Sequence, residues 1–149
     1  MKNAEGGGNM PRVPRILHVD DNEGDLELLE IAFKTHGFPV SLINALDGAQ
    51  GIVLLEDAVR TDLLPDLVLL DLNIPRVHGT EVLRFIRQHE RLRTIPTVIL
   101  TSSDGGADRR RCQDLGVNDY VVKPYRMDDY APLIERLKPF IHIDGASAT

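Results

Sequence analysis

Five short apolar runs constrain this chain more than any other feature, because each ends in a polar residue and gives way to a stretch of helical period. They are ILHV (16–19), VSLINA (40–45), LVLL (67–70), TVIL (97–100) and DYVV (119–122). A continuous run such as Leu67 to Leu70 suits a strand buried on both faces, as in a parallel sheet under helices. The intervening helical stretches start at Asp25 (Leu26, Leu29, Ala32 and Phe33 on one stripe), near Ala49, at Thr80 (Val82, Leu83, Phe85, Ile86), near Ala107 and near Asp128. They run to about Val59, His89, Leu115 and Lys138 in the last four cases, and the last carries Tyr130, Leu133, Ile134 and Leu137 at burial spacing. Strands alternating with helices predict a parallel sheet with helices on both faces. Right-handed crossovers then make it a doubly wound α/β sandwich.

A chain of 149 residues supports one such domain with a full core and is short for two. Residues 1–14, punctuated by glycine and proline, read as a flexible tail. The opening MKNAEGGG lacks the apolar core of a secretory signal, and no run approaches the ~20 apolar residues of a membrane helix. One cysteine, Cys112, excludes an intrachain disulfide and fits a reducing, cytoplasmic setting. A net charge of -6 argues against general nucleic-acid binding, which needs a basic face. The five histidines are scattered singly, without zinc spacing. His18, inside an apolar strand, reads as a packed, hydrogen-bonded core residue.

Ligands of doubly wound sheets bind outside the carboxyl ends of the strands. Those ends carry Asp20-Asp21, Asp71, Thr101-Ser102-Ser103 and Lys123-Pro124, whereas the second strand ends more blandly near Asp47-Gly48. Three carboxylates in one cleft repel one another unless a cation intervenes. Oxygen ligands without nitrogen or sulfur suit a hard ion, Mg²⁺ above all. A hydroxyl (Thr101) and an ammonium (Lys123) opposite them suit an oxyanion of phosphoryl transfer, with Asp71 as the nucleophile. Each residue alone has an ordinary explanation: Asp20 or Asp21 as a helix N-cap, Asp71 in a turn, Lys123 in solvent. Their joint placement on one sheet edge is what the ordinary explanations do not cover.

Over Arg15 to Phe140 the chain resembles the receiver domain of two-component response regulators. The resemblance rests on HVDDN (18–22), LLDLNIPRVHG (69–79), VILTSS (98–103) and DYVVKP (119–124), with steps of thirty residues from Asp71 to Thr101 and twenty-two from there to Lys123. It implies a five-stranded parallel sheet of order 2-1-3-4-5 with five helices, flavodoxin/CheY-like, over residues 15–142, and a second tail over 143–149. It further implies that Asp71 accepts a phosphoryl group from a sensor histidine kinase, with Mg²⁺ held by Asp20, Asp21, Asp71 and the backbone carbonyl of Asn73. Thr101 would then bond the phosphoryl oxygen, Lys123 pair with it, and Tyr120 turn inward as the switch aromatic. The Lys123-Pro124 bond would be cis. DLNIP, the EDAVRTDLLPD connection, IPTVILTSS and LGVNDYVVKP are similar to stand-alone receivers that partner phytochrome-type kinases. His78 departs from the commoner Asp or Asn before Gly79, which touches a turn and not the chemistry. Ser102 and Ser103 would tune access of water to the phosphate.

Only IHIDGASAT follows Phe140, so the expected output is a phosphorylation-dependent protein contact and the chain a phosphoacceptor, not a turnover enzyme. The run Arg109-Arg110-Arg111 reads as a solvated face, or else as a contact surface. With Asp128, Asp129 and Glu135 on the next helix, it could join two copies through the fourth helix, fifth strand and fifth helix. Two rivals stand beside this reading. One is a phosphorylation-independent adaptor of the same fold. The other is a Mg²⁺-dependent aspartyl phosphatase, for which Asn73 is the wrong residue where a second catalytic Asp is needed.

Overall fold

The computed structural model of the chain describes residues 12–141. The elements alternate as the sequence predicts: β1 (Arg15–Val19), α1 (Glu23–Thr35), β2 (Ser41–Ala45), α2 (Gly48–Thr61), β3 (Leu67–Leu70), α3 (Gly79–Gln88), β4 (Thr97–Thr101), α4 (Gly106–Asp114), β5 (Asp119–Val122) and α5 (Tyr130–Leu137). The strands form one parallel sheet in the order β2-β1-β3-β4-β5. The order reverses between β1 and β3, so the crevice of a doubly wound sheet opens above those two strands.

Side chains alternate across the sheet, and the alternation divides the core in two. Leu17 and Val19 of β1, Val68 and Leu70 of β3 and Ile99 of β4 meet Leu55 of α2, Val82, Leu83 and Ile86 of α3 and Cys112 of α4. On the opposite face Ile16, Leu67, Leu69, Val98 and Leu100 meet Leu29, Ala32 and Phe33 of α1 and Leu133, Ile134 and Leu137 of α5. This is why β3 reads as an unbroken apolar run: both of its faces are covered.

The boundaries differ from expectation for local reasons. α1 starts two residues before Asp25, because the Asn22 side chain caps it by accepting from the Asp25 N–H at 3.1 Å. Neither Asp20 nor Asp21 is the cap. α5 starts at Tyr130, since Met127–Asp129 form a separate 3₁₀ turn without a side-chain cap. Of the expected anchors of α4, Cys112 is buried and Leu115 half-buried, but Ala107 is exposed. Residues 1–11 of the expected first tail and all of the second lie outside the described residues. Arg12–Pro14 are bound to the domain: the Arg12 guanidinium pairs with Asp66, and the Pro14 carbonyl accepts from the Ser41 N–H at 2.8 Å. No helix among the described residues is long and apolar enough to cross a membrane.

Candidate functional site

The carboxyl ends of β1 and β3 are carried past the strands by backbone bonds. Asp20 N–H donates to Ala45 O at 2.9 Å, and Asp71 N–H to Val19 O at 3.0 Å. Both carboxylates are thereby pinned at the crevice floor, where Asp20 is fully buried and Asp71 nearly so. Gly79 lets α3 start directly beneath Asp71, since a Cβ there would lie 2.3 Å from the Asp71 carbonyl oxygen. His78 keeps the capping role that Asp or Asn would have, its ring nitrogen accepting from the Thr80 N–H at 3.2 Å. Lys123 is tied to β4 through its N–H to Thr101 O, at 2.8 Å.

Asp20, Asp21 and Asp71 offer oxygens that all lie within 4.8 Å of one another. The Lys123 ammonium reaches into the same space. Its Nζ donates to Oδ2 of Asp71 and to Oδ2 of Asp25, each at 2.8 Å. It also sits 2.8 Å from Oδ2 of Asp20, off the hydrogen-bonding directions, so that this buried oxygen has an ion pair and no hydrogen bond. Burial alone would lower the Lys123 pKa, but contact with Asp20, Asp25 and Asp71 outweighs it and raises the value, so the side chain stays charged. Burial raises the pKa of Asp20, although Lys123 and the Asn22 N–H oppose the shift.

Three carboxylates therefore contact one ammonium, and a fourth, Asp21, stands in the same cluster. His18, beneath them, brings no further charge: burial, with Lys123 nearby, lowers it to about 4. It is packed as expected, but neither ring nitrogen has a hydrogen-bond partner. Its strand position explains this, because His18 faces the apolar layer under α1 and lies 3.8 Å from the Asp20 oxygen. The oxygen-only donor set, its excess negative charge and the unbonded Asp20 Oδ2 fit a hard divalent cation.

Thr101, at the end of β4, is fully buried, and its hydroxyl accepts from the Ser103 N–H at 3.4 Å. The Tyr120 hydroxyl donates to the Ser103 carbonyl at 2.8 Å, so both residues meet on one backbone segment. Tyr120 is buried, with the Arg109 guanidinium 4.5 Å from its ring centroid. The Ser103 hydroxyl is turned to Asp108, at 2.6 Å. The Asn73 N–H approaches Asp71 Oδ1 at 3.4 Å, and the Asn73 side chain is exposed. The Lys123-Pro124 bond is trans, not cis as the resemblance implies. Trans is the lower-energy form of such a bond by about 0.5–1 kcal/mol, and from it Lys123 makes all of these contacts.

The structure thus brings Asp20, Asp21, Asp71 and Lys123 together, with Thr101 at the adjoining strand end. Sequence reasoning missed Asp25, taken only as the residue that opens the first helical stretch. The available signal was an acid in the first turn of the helix that follows the Asp20-Asp21 strand end.

A fold and a site of this kind define a phosphoacceptor class, and the chain belongs to it: residues 16–135 match the response regulator receiver domain family. The chain is 39% identical over 128 residues to Probable methanogenesis regulatory protein FilR2 of Methanothrix harundinacea (strain 6Ac), covering 84% of this chain and 81% of that protein. Response regulator Rcp1 of Synechocystis sp. is 34% identical over 134 residues, covering 89% and 90% of the two chains. The Mn²⁺-bound crystal structure of Rcp1 superposes with a TM-score of 0.75, covering 85% of this chain and 93% of that one at 32% identity. The phosphorylated cyanobacterial phytochrome response regulator RcpA does so with a TM-score of 0.78, over 87% and 94% of the chains at 30% identity. The chain spans about half the length of other curated relatives that it matches.

Proposed function

We propose that Asp71 accepts a phosphoryl group from a phosphohistidine on a sensor histidine kinase, and that the modification switches a protein–protein contact. The observation that carries this reading is the contact of Lys123 Nζ, 2.8 Å from Asp71, beside three carboxylates that can share a cation. An Asp71 carboxylate oxygen attacks phosphorus as the phosphorus–nitrogen bond of the donor breaks; the imidazole leaves with the electron pair and takes up a proton. Lys123 neutralises charge on the transferring oxygens and needs no proton transfer to do so. Asp20, Asp21, Asp71 and the Asn73 carbonyl would hold Mg²⁺, which when bound supplies positive charge to the phosphoryl oxygens.

Thr101 is the hydroxyl for a phosphoryl oxygen. Its movement would pull on Ser103, and through Ser103 on Tyr120, because both bond to that residue's backbone. The surface of α4, β5 and α5 would read out the change, including by pairing with a second copy. Several charges there are already matched within the chain: Arg109 with Asp104, Arg136 with Asp119, Lys138 with Glu135. Arg110 and Asp129 are exposed and make the better intermolecular pair. Likeness to Rcp1 and RcpA supports a phytochrome-type kinase as the donor. The single cysteine, Cys112, buried and unpaired, suits a reducing cytoplasm.

The test is incubation with acetyl phosphate, with and without Mg²⁺, followed by intact-mass measurement. A single phosphoryl adduct that needs Mg²⁺ and vanishes in Asp71→Asn is expected. No adduct would favour an adaptor, and rapid turnover of phosphate esters a phosphatase; either overturns the reading.

A further inference from the structure

Lys123 occupies oxygens that a cation would need. An ammonium has three N–H donors. Here it lies 2.8 Å from Asp20, Asp25 and Asp71, two of which belong to the carboxylate cluster. Asp25 does not belong to it. Its carboxylate projects from the first turn of α1, is about a quarter exposed, and lies 2.8 Å from the ammonium.

We infer that Asp25 is a positioning residue: it holds the Lys123 ammonium when Asp20 and Asp71 turn their oxygens to a divalent cation, and so keeps Lys123 from competing for them. The inference rests on the proposed metal-dependent phosphoacceptor reading and deepens it. The geometry favours Asp25 as the resting place. Lys123 donates to both Asp25 and Asp71 at 2.8 Å, and of the two only Asp25 lies outside the carboxylate cluster. Without the Asp25 charge, the ammonium would fall wholly upon Asp20 and Asp71, and a cation would have to displace it there. Asp25 thus acts through Lys123 and not as a ligand.

The test is a double-mutant cycle read by calorimetric titration with Mg²⁺, no phosphodonor being present. Asp25→Asn should raise the Mg²⁺ Kd about tenfold or more, the factor expected for one hydrogen bond between charged groups. Lys123→Ala should lower the Kd, because the competing cation is gone. In the Lys123→Ala background, Asp25→Asn should change the Kd by less than about threefold, the residue left to its bare, screened charge. Glu23→Gln, which removes another acid from the same helical turn without touching Lys123, should leave the Kd unchanged and serves as the control for folding and for net charge. Equal factors for Asp25→Asn in the two backgrounds, or no effect in the first, would overturn the inference while leaving the phosphoacceptor reading intact. Absence of saturable Mg²⁺ binding by the unaltered protein would overturn both.

Discussion

Two cations anchor opposite ends of this sheet, and they are treated in opposite ways. Arg87, on α3 near the amino ends of the strands, donates from Nε to Gly116 O at 2.8 Å and from its two other nitrogens to Ile95 O at 3.0 Å, Arg93 O at 3.3 Å and Asn118 Oδ1 at 2.7 Å. Every acceptor is neutral. The guanidinium fork fastens α3 to the segments that precede β4 and β5, and burial alone lowers its pKa. Lys123, at the carboxyl end, stands among carboxylates that outnumber it. A structural cation is matched by its surroundings; the one at the crevice is surrounded by more negative charge than it neutralises. That mismatch costs stability and leaves capacity for a second cation.

Substitution at the structural end should have the largest effect on folding. Arg87→Met removes four hydrogen bonds and should lower the unfolding free energy by about 4 kcal/mol, measured by urea denaturation. The fraction that folds should still take up phosphate on Asp71. A mild stability loss, or a lost adduct in folded protein, would blur the division between the two ends.

Next comes His18, on β1 just before the crevice. Its unfolded pKa is 6.5 and its folded value about 4. Between them the unfolded chain binds a proton that the folded one does not. Stability in metal-free buffer should therefore be fully present above pH 6.5 and fall by about 3 kcal/mol as the pH drops to 4. His18→Leu should flatten that part of the profile, and a slope unchanged by the substitution would assign it to other groups.

Smaller effects are expected at Asp20. Its folded pKa is raised, so the unfolded chain ionises first and the metal-free fold loses stability as pH rises through the carboxylate range. Asp20→Asn should then stabilise the metal-free protein at neutral pH by about 1 kcal/mol, while abolishing the rise in Tm on adding Mg²⁺. A destabilised variant would mean that Asp20 is structural, as Arg87 is. The smallest change should come from Arg109→Ala, which loses the guanidinium over the Tyr120 ring, about 0.5–1 kcal/mol by denaturation.

The sequence disclosed strand ends better than it disclosed directions. β3 and β4 were legible because burial on both faces leaves unbroken apolar runs, and that in turn placed Asp71 and Thr101 at one edge. Asp20, Asp21 and Lys123 followed from the same rule. Asp25 did not, because helical spacing marks a first-turn acid without showing that the side chain leans back over the crevice. Arg87 was not legible, since most of its partners are backbone carbonyls that carry no sequence signal. The missing hydrogen bonds of His18 and the trans Lys123-Pro124 bond belong to the same category. Each depends on how neighbouring segments meet in space, which the strand pattern leaves open.

The most direct test of a crevice built for a second cation is chemical mapping of the phosphoryl group. The protein would be treated with acetyl phosphate in Mg²⁺ or in EDTA and reduced with borohydride, which converts an aspartyl phosphate to homoserine, before peptide mass analysis. Homoserine at position 71 in Mg²⁺, and nowhere in EDTA, is the expected result. Equal conversion in EDTA, or conversion at Asp20 or Asp21 instead, would contradict it.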